Sequence, residues 1–146
     1  DALDDVIEEV GVGFHGRIVM DATNSVVFDP ASGGFRHLAP EGTLTARVNQ
    51  DRMLRARLVK VFNTVPAPAL EERLAGTREP FAVPFSGYDS PARNVVRNLV
   101  REAVMEPLDL GGLERADIQE FGGALWGETL PLEEARARLD GADAEG

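Results

Sequence analysis

Apolar positions in this chain alternate between helical and strand-like spacing. Leu3, Val6, Ile7 and Val10 recur at i, i+3, i+4 and i+7, which places them on one face of a helix over residues 1–10. Ile18-Val19-Met20 is short and partly β-branched, bounded by Gly16 and by Asp21-Ala22-Thr23-Asn24, and predicts a buried strand over 17–22. Residues 24–43, rich in Gly, Pro, Ser and Asp, predict a long loop of the kind that is usually functional or mobile. A helix with a weak apolar stripe is expected from Leu44 to Arg55. A second strand follows over 57–62 and ends in Asn63-Thr64, and Pro66 and Pro68 restart the chain into a short helix over 69–75.

A third strand is predicted over 81–85, with Pro84 pointing to an edge or bulged position because proline donates no ladder hydrogen bond. Asp89-Ser90-Pro91 reads as a helix start, Ser90 as N-cap and Pro91 at the first helical position. Val95, Val96, Leu99, Val100, Ala103 and Val104 give that helix its apolar face. A short strand over 106–110 ends at Gly111-Gly112, and a helix over 113–126 follows with Leu113, Ala116, Phe121, Ala124 and Leu125 inward. Residues 131–139 form one more helix, and 140–146 read as an acidic tail without fixed structure. Strands alternating with helices define an α/β fold, a mostly parallel sheet with helices on both faces, in a single domain over 1–139.

Composition narrows the function. The chain of 146 residues is 43% apolar, enough for one domain with a core. No apolar run approaches the ~20 residues of a membrane helix, so a soluble, cytoplasmic protein is expected. Cysteine is absent, which excludes disulfides, thiolate metal sites and a thiol nucleophile. A net charge of −10 argues against nucleic acid as partner. The two histidines, His15 and His37, stand outside any metal-ligand spacing, and no metal site is expected.

Gly11-Val12-Gly13-Phe14-His15-Gly16 satisfies G-x-G-x-x-G literally. The motif grips a pyrophosphate only when a strand delivers the chain into the turn and a helix N-terminus receives the phosphates. Here a helix precedes the glycines and a strand follows, so a glycine-rich connection with Gly11 near the helix C-cap is the better reading. Ligands of open α/β sheets bind beyond the carboxyl ends of strands. Three such ends carry small polar or glycine residues: Thr23-Asn24-Ser25, Asn63-Thr64 and Gly111-Gly112. Uncharged amides and hydroxyls suit an amide or a ring edge, although each is also ordinary turn chemistry.

Ile18-Val19-Met20-Asp21-Ala22-Thr23-Asn24, then Val59-Lys60-Val61-Phe62-Asn63-Thr64-Val65-Pro66-Ala67, then Pro107-Leu108-Asp109-Leu110-Gly111-Gly112-Leu113 resembles one family over residues 17–127. That family is the NADPH-dependent coenzyme F-420 reductases and their predicted dinucleotide-binding kin. Two departures stand out: Ser25 replaces the family's usual proline, and the opening strand and phosphate-binding glycine loop are not in this sequence. The resemblance therefore implies the later, C-terminal portion of an NAD(P)-binding Rossmann-like domain. It implies hydride transfer between NADPH and a deazaflavin or flavin-like acceptor, with this chain alone inactive. Asn24, Ser25, Asn63, Thr64, Gly111 and Gly112 become the expected cofactor-binding residues; no catalytic acid or base is implied. The cofactors implied are NADP and coenzyme F-420 or a flavin.

Two other readings stand beside it. A dehydrogenase of the same superfamily acting on a small carbonyl or imine needs a proton donor, such as Lys60 or His37. A non-catalytic domain would cover its open sheet edge by forming a homodimer. The missing initial methionine and a helix beginning at residue one lead us to expect about 70 to 100 further residues upstream, on the domain sizes of such folds.

Overall fold

The computed structural model describes residues 2–145. Along the chain come α1 (Ala2–Val10), β1 (Ile18–Asp21), β2 (Val26–Asp29), β3 (Gly34–His37), α2 (Thr45–Arg52), β4 (Arg57–Val61), α3 (Ala67–Leu74), β5 (Ala82–Ser86), α4 (Ser90–Glu102), β6 (Glu106–Gly111) and α5 (Leu132–Glu145). The four strands expected to share a sheet do so, in the order β1-β4-β5-β6. β1 and β4 are parallel, as are β5 and β6, while β4 and β5 are antiparallel. The sheet is thus mostly parallel, but β5 and β6 run against β1 and β4.

Alternation along β4 splits the core into two layers. Val59 and Val61 pack with Ala69 of α3 and with Ala92, Val96 and Val100 of α4. Leu58 faces the other way, onto Ala46 and Met53, Leu113 and Ala116, with Leu3 and Ile7 of α1 against them. Helices therefore cover both faces. α1 buries only half of its predicted stripe, since Val6 and Val10 remain 47% and 42% exposed. On α4, Val95 and Leu99 likewise stay outside the core.

Five local expectations are corrected. Residues 24–43 are not one loop, because β2 and β3 pair antiparallel with Phe28 opposite Phe35. Their turn is closed by Asp29, whose carboxylate accepts from the Ala31 N–H at 3.0 Å, and by Gly33 at φ +70°. Pro84 lies in an interior rather than an edge strand, although beside the register irregularity between Phe85 and Ser86 on the β6 side; β4 pairs only with Phe85 and Ser86, so its missing N–H removes no bond there. The cap of α4 is Asp89, not Ser90: its carboxylate accepts from Ala92 N–H at 2.7 Å. The predicted helix over 113–126 shrinks to a 3-10 helix at Leu113–Ile118, because Gln119 and Glu120 turn inward and Gly122 adopts φ +86°. Finally, α5 continues to Glu145 through the predicted acidic tail, anchored by Ala135 and Leu139 against the β6 layer and by Arg138 pairing with Glu128 at 3.1 Å.

Candidate functional site

The carboxyl ends of β1 and β4 lie side by side because the two strands are parallel neighbours. Asn24 and Asn63 consequently meet. Asn24 donates its amide to the Asn63 carbonyl at 2.7 Å, and Asn63 donates its own to Asn24 Oδ1 at 3.1 Å. Asn63 also donates to the Gln119 carbonyl at 2.7 Å, and the Trp126 indole N–H reaches Asn24 Oδ1 at 3.4 Å. Phe62, just before Asn63, has φ +62°, a left-handed backbone unusual for a bulky residue. That conformation opens a turn, closed by Val65 N–H on the Phe62 carbonyl at 3.2 Å, which leaves both Asn63 and Thr64 buried. Strain of this kind collects at ligand sites.

Beneath the paired asparagines lies a buried ion pair. Lys60, fully buried, donates to Asp21 Oδ2 at 3.2 Å and to the Thr23 carbonyl at 2.5 Å. Asp21 also accepts from the Thr23 N–H at 2.9 Å, the Thr23 hydroxyl at 2.7 Å and the Asn49 amide at 3.0 Å. Burial pushes the Asp21 carboxyl up, but the Lys60 ammonium and the Asn49 and Thr23 donors outweigh it and hold its pKa below the usual value of 3.8. The pair fixes the path of Thr23 and so the aim of Asn24. Lys60 has no exposed surface, and so cannot be a proton donor to a bound substrate in this arrangement. His37 stacks on Phe121, ring centroids 6.0 Å apart.

A cavity of about 330 Å³ opens beside this strand end, lined by Thr23, Asn24, Ser25, Thr45, Asn49 and Arg52 among others. β2 and β3 carry an aromatic tier: Phe28 meets Phe35 edge-on at 5.8 Å, and Phe35 meets Trp126 at 6.1 Å. Asn63 Oδ1 and Thr64 Oγ1 are buried without a hydrogen-bond partner. Unmet acceptors of this kind ask for a donor from water or a ligand.

Of the six expected residues, the structure brings together Asn24, Ser25, Asn63 and Thr64. It sends Gly111 and Gly112 away: Gly111 is level with Ser86 and Lys60, two strands across from β4, and because β5 and β6 run against β1 and β4 the chain leaves β6 in the direction opposite to Asn24 and Asn63. Gly111 has φ +98°, which explains its glycine through the backbone alone. Gly11–Phe14 forms a 3-10 turn between α1 and β1, so the glycine motif faces no helix N-terminus. Trp126, Asn49 and Asp21 belong to the site but were not among the expected residues, as their partners are distant in sequence. Among the described residues no three His, Asp or Glu side chains gather to hold a metal, and no helix is long and apolar enough to cross a membrane.

Sheet, flanking helices and strand-end cleft together define a Rossmann-like α/β domain. Solved structures share it. A hypothetical protein from Sinorhizobium meliloti matches 90% of this chain at 30% identity with a TM-score of 0.74. A protein from Arthrobacter sp. FB24, described provisionally as an F-420-dependent NADP reductase, matches 77% of it at 23% identity with a TM-score of 0.65. The matches cover 62% and 51% of those two proteins, so this chain spans only part of their length. Both likenesses show the α/β fold that the sequence resemblance implied. No family model matches the chain, and no curated protein is similar to it.

Proposed function

We propose that this chain is part of an NADP-dependent oxidoreductase that moves hydride between NADPH and a deazaflavin or flavin-like acceptor. Its partners on this reading are the nucleotide cofactor and the redox acceptor. The observation that carries it is the Asn24–Asn63 pair, closing two parallel strand ends beside a cavity, with Trp126 bonded to it. The uncharged polar residues at the strand ends, Thr23, Asn24 and Ser25, also fit: NADP supplies the hydride chemistry when bound, and the protein has only to align rings and exclude water. Asn24 and Ser25 line the cavity and would orient a ring amide, while Asn63, buried behind them, would hold Asn24 in place through its bond to Asn24 Oδ1. These residues fit the ring end of the cofactor. The glycines at 11–16 do not fit its pyrophosphate, for want of a helix N-terminus behind them.

A carbonyl or imine dehydrogenase is the weaker reading, because Lys60 is spent on Asp21 and Thr23. Trp126 is the one tryptophan of the chain and touches the site, so its fluorescence is the test. Quenching by nicotinamide mononucleotide and by a flavin, both lost in Asn24→Ala, is the expected result. A chain whose fluorescence ignores both rings contradicts the proposal.

A further inference from the structure

The cavity beside Asn24 has a charged end that ring binding alone does not use. One face of α2, through Thr45, Val48, Asn49 and Arg52, forms a wall, and Thr23, Asn24 and Ser25 stand on the β1 side. Leu3, Leu38 and Ala39 add apolar lining. About 330 Å³ with mixed walls and one cation is the size and chemistry of a small-molecule pocket rather than a solvent groove.

Among the described residues Arg52 is the only charged side chain lining this cavity. It is already engaged by a carboxylate, that of Asp4 on α1, in a bond from Arg52 Nη2 to Asp4 Oδ1. Both side chains keep substantial exposure, 31% for Arg52 and 58% for Asp4. An exposed pair of this kind is weakly held and exchanges readily for a better oxyanion. A guanidinium forms its strongest contacts with carboxylate or phosphate, through two parallel N–H bonds. The other anion-favouring position nearby is taken, since Glu120 accepts from the Thr45 and Ala46 N–H groups at 2.8 and 2.6 Å and so occupies the start of α2. Arg52 is left as the point where an incoming negative group can bind.

We infer that the cavity takes a small planar ligand bearing an oxyanion, with the ring toward Asn24 and Ser25 and the carboxylate or phosphate on Arg52 in place of Asp4. This rests on the reading of the cavity as the ring site, but not on any redox step. Arg52 is then the residue that selects the ligand's charge.

The test compares nicotinate, phenyl phosphate and neutral nicotinamide by ligand-detected NMR titration against the chain, with Arg52→Gln and Asp4→Asn alongside. Nicotinate or phenyl phosphate should bind at least about tenfold more tightly than nicotinamide, the scale of one charge-assisted bond. Which of the two anions binds better separates a carboxylate from a phosphate ligand. Arg52→Gln should abolish the preference, and Asp4→Asn should strengthen anion binding by freeing the guanidinium. A purely structural Arg52–Asp4 contact would not produce that opposite pair of effects. Equal binding of charged and neutral rings, or a preference that survives Arg52→Gln, overturns the inference and leaves the ring site standing. Failure of every ring to bind overturns both.

Discussion

Lys60 and Asp21 set the energetics of the strand end. Removing one partner of a buried pair strands the other's charge, so Lys60→Met or Asp21→Asn should each cost about 3–5 kcal/mol in denaturant unfolding. Replacing both by apolar residues should recover much of that loss. Asp21 also carries a pH signature. Its folded pKa lies below the ordinary 3.8, so its contribution is complete above that value and is lost as pH falls through the folded pKa. Acid unfolding should therefore steepen below about pH 4 and flatten in the double apolar variant. A wild-type curve that matches the double variant throughout would remove Asp21 from the account. Asn63→Ala should cost roughly 1–3 kcal/mol, because it leaves the Gln119 carbonyl and Asn24 Oδ1 short of a donor. The strand-end asparagines were legible in the sequence because each follows a β-branched run. Trp126 was not, since its bond to Asn24 spans 102 residues and no local pattern announces it.

Caps and turns decide where the elements stop, and here short-range sequence signals competed. Ser90 and Asp89 are both good N-cap residues, and the sequence order alone favoured the one before Pro91. Asp89 wins because Arg57, at the start of β4, takes the same carboxylate at 2.8 Å. The Arg57 guanidinium and then the Ala92 N–H hold the Asp89 carboxyl below its ordinary pKa. Asp89→Ala should lower stability by about 1 kcal/mol or somewhat more, and Ser90→Ala should be close to neutral; a reversed order would restore Ser90 as the cap. Past the end of α4, Val104 sits at φ +54°, where Met105 N–H reaches back to the Val100 carbonyl at 3.2 Å. Glycine is the usual residue there, so Val104→Gly should stabilise the chain by about 1 kcal/mol, read as a higher Tm. The β2–β3 hairpin stayed hidden because its Gly, Pro, Ser and Asp content resembles a loop. Its order comes from Phe28, Phe35 and Trp126 packing across distant parts of the chain.

At the scale of the molecule, periodicity was enough to place four strands and the layers over them, but not to orient them. Nothing in the residues of β5 says that it runs against β4; the register is fixed by packing of Val83 and Phe85 onto α4 and by Ser86 opposite Lys60. That one reversal separates Gly111-Gly112 from the asparagine pair and confines the candidate site to the ends of β1 and β4. The most direct measurement is amide and indole chemical-shift mapping of the chain with NADPH. We expect weak binding, with shifts at Thr23, Asn24, Ser25, Asn63 and the Trp126 indole N–H and none at Gly11 to Gly16. Tight binding with shifts centred on Gly11 to Gly16, or on Gly111 and Gly112, would contradict the account.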